Sequence, residues 1–388
     1  MMDYSQGRGE FENWIVSETA FSSESLGKTE AIMSLGNGYM GLRSANEEPY
    51  LKEVRNLFVN GTFNRFGGKE VPELPNIADV TRLDIKVDGE RFSLKLGETE
   101  QYVKQLNLKT AELTRTLTWT SPKGKKLRIH FRRFVSRDHL HLIGMKMDVE
   151  SLTDPVDIAI ASGINGQLTN TGAQHFHEGE KRIFDKKFLQ LIQTTTESDI
   201  DVVLNTVHEL KLNGQTHQVE PEMNMDRRKV WLTYQVTLQP DDHLELEKLS
   251  TVYTSRDKEF DTPDYQLETL REHSLNELRN CATKGYEELF RLHKEAWEKK
   301  VWNVYNLQVT SEEPFDELAL RFAIYHLTIM TPAHDQGAGA PACLHGACPG
   351  RLSVRCGRQA LYRLRGILGT HDHRPCRSRC PRICARAH

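Results

Sequence analysis

The sequence predicts a mainly β protein: a large antiparallel β-sandwich followed by helices. Three observations carry that prediction. Apolar residues recur with period two in successive runs between residues 10 and 260. Short turn signals, rather than long helical stretches, separate those runs. Near residue 264 the period changes to three and four.

The first element of interest is Ser34-Leu-Gly-Asn-Gly-Tyr-Met-Gly-Leu-Arg43. EAIMSL and YMGLRSA read as strands, with Gly36-Asn37-Gly38 between them. Asn-Gly supplies the positive φ angles that a tight hairpin turn requires. A phosphate-cradling loop would need a strand before it and a helix after it. Here more extended chain and Pro49 follow, so the stretch is read as a turn. LDIKVDGERFSLKL (83–96) is a hairpin around Asp88-Gly89. ELTRTLTW (112–119) and KLRIHFRRFVS (126–136) repeat the theme around Pro122-Lys-Gly. Alternation returns in 139–151, 156–164, 201–214 and 229–239. Residues 265–302 then read as two helices broken near Gly285, with Leu267, Leu270, Leu275 and Leu278 on one face and Leu289, Leu292 and Trp297 on another. A further helix spans 316–330, with Asp316 or Ser311 as a cap and Pro332 as its stop. Leu318, Phe322, Tyr325 and Ile329 form its apolar face.

Length and charge add a division. A chain of 388 residues suggests two or three domains. Net charge is −3. Residues 337–388 hold ten arginines, no lysine and one acid, Asp372, which gives +9 and leaves −12 for the rest. Six of the seven cysteines, Cys343, Cys348, Cys356, Cys376, Cys380 and Cys384, also lie there. No apolar run approaches the roughly 20 residues of a membrane span, and the polar N-terminus lacks a secretory signal, so a cytoplasmic protein with no membrane partner is expected.

Several residues invite a functional reading. His175-x-His177-Glu178 could bind a metal, but a strand edge beside a loop explains it better. Arg132-Arg133 and Lys123, Lys125 and Lys126 are basic, yet a solvated face suits them better than nucleic acid. His293 and Trp297 stand four apart and can touch, as packing residues. Tyr39 and Arg43 are expected to pack and pair inside the sandwich. Asn60-Gly-Thr62 matches a glycosylation sequon, which has no use in a cytoplasmic protein. No residue is assigned as catalytic, cofactor-binding or metal-binding.

A set of collinear segments resembles one family. The pieces are ETAFSSESLGKTEAIMSLGNGYMGLRSANEE (18–48), VNGTFN (59–64), ELPNIAD (73–79), LRIHFRRFVSRDHLHL (127–142), LEKLSTVYTSRD (246–257), HKEAWEKKVW (293–302) and LALRFAIYHLTIM (318–330). Together they resemble glycoside hydrolase family 65, which contains maltose, kojibiose, nigerose and trehalose phosphorylases. The resemblance covers roughly residues 1–335. It implies a galactose mutarotase-like β-supersandwich over 1–263 and a helical linker over 264–306. It also implies the start of a truncated (α/α)6 catalytic barrel over 307–336.

The implied activity is inverting phosphorolysis of an α-glucosyl disaccharide such as maltose, releasing β-glucose 1-phosphate and glucose. Inorganic phosphate is the co-substrate, no other cofactor is implied, and a homodimer is expected. An inverting hydrolase pairs an acid with a carboxylate that activates water. A phosphorylase substitutes an anion pocket for that second carboxylate. The family places its acid, a Glu, and the phosphate site inside the barrel, well beyond the first barrel helix, which is followed by a glycine-rich run and a Trp-Asp-Thr-Glu substrate motif. The last tryptophan here is Trp302, and the only acid after Asp335 is Asp372. An inactive fragment is therefore expected.

For residues 337–388 a shifted reading frame and disorder are expected. The truncated barrel helix 316–330 would then lack the partners that cover its apolar face, leaving Leu318, Phe322, Tyr325 and Ile329 exposed. The competing readings are a carbohydrate-binding or oligomerisation sandwich, and a zinc or nucleic-acid module. The latter would use Cys376, Cys380, Cys384, His371, His373 and His388, but their spacing is not that of paired C-x2-C ligands.

Overall fold

Period-two segments become strands, and their turns have the backbone they need. Asp88 and Gly89 both take positive φ, 49° and 79°, between Leu83–Val87 and Glu90–Arg91. In this computed structural model the described residues are 2–305, 309 and 311–332. They fall within one compact unit, Met1–Ala340. The tail 337–388, with its reading as a shifted frame or a zinc module, lies outside the described residues.

One sheet has eleven strands. Ten of them run in the order Met2–Asp3, Ile15–Glu18, Glu98–Asn107, Glu112–Thr120, Lys126–Val135, Leu142–Ser151, His243–Thr254, Asp201–Leu212, Phe188–Thr194 and Lys181–Phe184. Every pairing is antiparallel. A second sheet runs Glu222–Asp226, Lys229–Leu238, Val156–Asn165, Leu83–Val87, Glu90–Arg91. It packs on the large sheet near Asp201–Leu212 and His243–Thr254, where His208 Nε2 lies 2.8 Å from Ser162 Oγ. Lys248 Nζ also donates to Gly163 O at 2.9 Å. A small third sheet joins Leu35–Gly36, Met40–Leu42 and Leu57–Val59.

Helix α1 spans Leu26–Ile32, α2 Leu267–Trp297 and α3 Pro314–Met330. The start of EAIMSL, predicted as a strand, is therefore the end of a helix. The α2 region is broken at Gly285, where φ is 73° and ψ 169°, a conformation open almost only to glycine. Leu278, Cys281, Tyr286, Leu289 and Phe290 of α2 bury against Phe134, Leu142, Val207 and Leu249 of the large sheet. The strand His243–Thr254 is thus covered on both faces. Val252 looks toward the sandwich interior, while Leu249 and Tyr253 look toward α2. No described helix is long and apolar enough to cross a membrane.

The α3 helix opens on Pro314 as its first residue, with Glu313 as cap, so neither Asp316 nor Ser311 takes the cap position. Its predicted apolar face is not exposed. Leu318, Phe322 and Tyr325 are buried, and Ile329 is partly so. The Tyr325 ring stacks on Trp297 at 5.3 Å, and its hydroxyl donates to Ser34 O at 3.0 Å. The N-terminal segment and α2 supply the cover that the sequence reading sought in later helices. Leu327 and Met330, on another side of α3, are the exposed apolar residues.

Candidate functional site

The glycine stretch is a turn, and it is also the seat of α3. Asn37 N donates to Met40 O at 3.1 Å to close the turn, and Gly38 takes φ 86°. Asn37 is not among the residues with positive φ. Its side chain works instead. Oδ1 accepts from the amides of Tyr39 and Met40, both at 3.0 Å. Nδ2 donates to Ser136 O at 2.6 Å and Leu140 O at 2.7 Å. The Gly38 amide donates to Ile329 O at 3.1 Å. That carbonyl belongs to the last turn of α3, which has no partner within its own helix. A Cβ on Gly36 would sit 2.9 Å from Met40 O and 3.1 Å from Ile329 Cβ. Glycine is needed here so that α3 can come this close.

Three of the collinear segments meet beside this seat. Tyr39 comes from the glycine stretch, His141 from SRDHLHL and Asp257 from TSRD. Tyr39 OH donates to Asp257 Oδ2 at 3.1 Å. His141 stacks on Tyr253 at 3.9 Å and meets the Tyr39 ring edge-on at 4.3 Å. Its Nδ1 lies 2.9 Å from Val252 O and 3.7 Å from Asp257 Oδ2. Burial pushes the Asp257 carboxyl up to about 7, against the pull of the Thr254 amide and the Tyr39 hydroxyl. Nearby, the Arg137 amide donates to His293 Nδ1 at 3.0 Å, and His293 Nε2 bonds Thr110 O at 2.8 Å. Arg137 Nη1 also donates to Asn37 O. The cluster joins one end of the large sheet to α2 and α3.

The rest of that stretch, Ser44-Ala-Asn-Glu-Glu48, threads the sandwich interior. Glu47 takes Arg115 at 2.7 Å and Arg133 at 2.9 Å. Arg115 also holds Glu48, through Nη1 at 2.6 Å. Lys104 Nζ donates to Ser44 O at 2.6 Å and Asn46 Oδ1 at 2.9 Å. Arg115, Arg133 and Lys104 depress the Glu47 carboxyl despite its burial. Burial lowers Lys104 to about 8. These basic groups are committed to the chain's own carboxylates and carbonyls, which leaves them poorly placed to hold a phosphate.

These motif residues meet in one fold rather than at scattered surfaces. Residues 16–300 match the N-terminal domain of glycosyl hydrolase family 65. The chain belongs to family 65. It is 43% identical over 332 residues to a kojibiose phosphorylase of Halothermothrix orenii, covering 86% of this chain and 42% of that protein. It is 32% identical over 327 residues to a kojibiose phosphorylase of Escherichia coli K12, covering 84% and 42%. A solved structure described as "Putative kojibiose phosphorylase from human microbiome" superposes with a TM-score of 0.71 at 17% identity. It covers 82% of this chain and 42% of that one. The family 65 chain thus spans about two fifths of the length of these relatives.

Other singled-out residues separate. His175 is buried, with Nε2 2.9 Å from Glu73 and Nδ1 3.0 Å from Asn64 Nδ2. His177 is exposed, so the two imidazoles do not converge. Arg133 corrects the solvated-face reading, since it is buried in the sandwich. Arg132 lies on the opposite face, pairing with Glu112 and Glu287, each at 2.7 Å. Lys123, Lys125 and Lys126 do lie at the surface, on Asp88 O, Pro155 O and Glu100. His293 and Trp297 touch, at 6.4 Å between centroids. Tyr39 is buried, and Arg43 pairs with Glu30 at 3.3 Å. Sequence reasoning missed His141 and Asp257 as a unit. Both stand in segments quoted for the resemblance, but 116 positions separate them.

Proposed function

We propose that this chain is the N-terminal part of an inverting disaccharide phosphorylase, and that these 388 residues do not turn over substrate by themselves. The whole enzyme would cleave an α-glucosyl disaccharide with phosphate and release β-glucose 1-phosphate. Kojibiose is the first substrate to test, ahead of maltose, because the relatives at 43% and 32% identity carry that name. The reading places the enzyme in the cytoplasm as a homodimer, with phosphate as co-substrate and no nucleic-acid or membrane partner.

One observation carries the reading of inactivity: the buried charges around Glu18, Glu47 and Glu48 are spent on structure. Glu47 and Glu48 pair with Arg115 and Arg133 in the interior, and Lys104 donates to Ser44 O and Asn46 Oδ1. Glu18 accepts from Thr29 at 2.9 Å and Tyr102 at 2.7 Å. Glycosidic cleavage needs a proton donor aimed at the leaving oxygen, and phosphorolysis also needs free donors for the anion.

The test uses the purified 388-residue chain with phosphate and kojibiose, maltose, nigerose or trehalose. No glucose 1-phosphate should form. Joining residues 1–332 to the remainder of the Halothermothrix orenii enzyme should give kojibiose phosphorolysis. Turnover by the 388-residue chain alone would refute its inactivity. A folded chimaera inert toward all four sugars would refute the phosphorylase reading.

A further inference from the structure

Three antiparallel strands bring a histidine and two carboxylates into one row. The register pairs His130 with Asp148, and Asp148 with Glu245. Directly paired residues leave the sheet on the same side. His243 precedes Glu245 by two positions on its strand and so shares that face. It is the face that carries α2, because Arg132 and Lys146, two positions from His130 and Asp148, both reach Glu287 of α2.

The spacing of these groups is informative. His243 Nε2 lies 3.4 Å from Asp148 Oδ1 and 3.9 Å from Glu245 Oε1. Both are longer than ordinary N–H···O bonds. They are close to the edge of a coordination tetrahedron, whose donors, about 2.0–2.1 Å from zinc, lie roughly 3.3 Å apart. Ligand atoms of Asp148, His243 and Glu245 all fall within 4.8 Å of one another. The His243 side chain is 43% exposed, which leaves an entry path.

Lys146 shares the face. Its Nζ is 2.7 Å from Glu245, 3.7 Å from Asp148 and 3.4 Å from Glu287. The ammonium now balances the row, and Glu287 gives it a carboxylate to keep if another cation enters. One neutral imidazole and two carboxylates carry −2, which suits a divalent ion. Mixed nitrogen and oxygen donors favour zinc, nickel or cobalt over calcium or magnesium. We propose that Asp148, His243 and Glu245 form a site for one divalent transition-metal ion, with Lys146 as its displaceable counter-charge. The ion would clasp the strands Leu142–Ser151 and His243–Thr254 at an end of the sheet.

Calorimetric titration of the full chain with nickel(II), after its accessible thiols are blocked with iodoacetamide, tests this. Tail histidines contribute the same background to every variant. Wild type should bind one equivalent that His243→Ala loses or binds at least tenfold more weakly. Lys146→Gln, freed of its competitor, should bind that equivalent several-fold more tightly. Melting curves without metal identify any misfolded variant. Equal stoichiometry and affinity in wild type and a folded His243→Ala would overturn the site. So would unchanged or weaker binding by a folded Lys146→Gln.

Discussion

His293 is fully buried between a donor and an acceptor. The Arg137 amide donates to Nδ1, so Nε2 must carry the proton given to Thr110 O. A second proton on Nδ1 would break the first bond. Burial lowers this imidazole from 6.5 to about 3. The unfolded chain therefore binds more protons between those values, and stability falls as pH falls through them. His293→Gln keeps a donor and an acceptor but cannot titrate. Its urea midpoint should decline less than that of wild type between pH 6.5 and 4. Identical acid slopes would contradict this account. Lys248 tests the opposite window. Burial lowers it from 10.5 to about 7, against the pull of Asp79 and with the push of Arg55 and Arg133. The folded chain sheds its proton first, so stability should climb as pH rises from 7 toward 10.5, by at most about 1.4 kcal/mol per pH unit. Lys104, lowered to about 8, adds to the same climb. Lys248→Met should flatten part of it in urea titrations at pH 7 to 9. None of this shows in sequence, where His293 and Lys248 look like ordinary polar residues of a helix and a strand.

The α3 helix is held by contacts at two of its sides. Trp297 and Ser34 take Tyr325, and the glycine turn takes the Ile329 carbonyl. Gly36→Ala would press a methyl against Met40 O and Ile329, and overpacking of this kind costs about 1–3 kcal/mol. Hydrogen exchange in α3 should rise in this variant while the central strands keep their protection. A uniform rise would mean that α3 and the sandwich unfold together. Tyr325→Phe should cost about 1 kcal/mol in chemical denaturation, the usual worth of one buried hydrogen bond. The apolar spacing of this helix was legible in sequence. Its cover was not, because Ser34 and Tyr325 are 291 positions apart. The strand reading of EAIMSL failed for a local reason. Seven residues, Leu26–Ile32, are too few for periodicity to separate helix from strand.

At the scale of the molecule, two layers cover the same pair of strands. Asp201–Leu212 and His243–Thr254 lie between α2 and the smaller sheet. Their amides should exchange most slowly among the described residues, and those of the outer strand Glu222–Asp226 among the fastest of the sheet amides. Mass-spectrometric exchange that found the two pairs alike would refute this layering. By itself the sequence determined the class of the fold, its antiparallel character, the break at Gly285 and the family, because short-range periodicity, turn chemistry and collinear motifs are written along the chain. Only the tertiary structure decided that Asn-Glu-Glu runs through the interior among arginines. It alone placed α3 on the glycine turn, and His130, Asp148 and Glu245 in one row. Such arrangements follow from strand register and long-range packing, which bring together residues whose separation in sequence carries no signal of their contact.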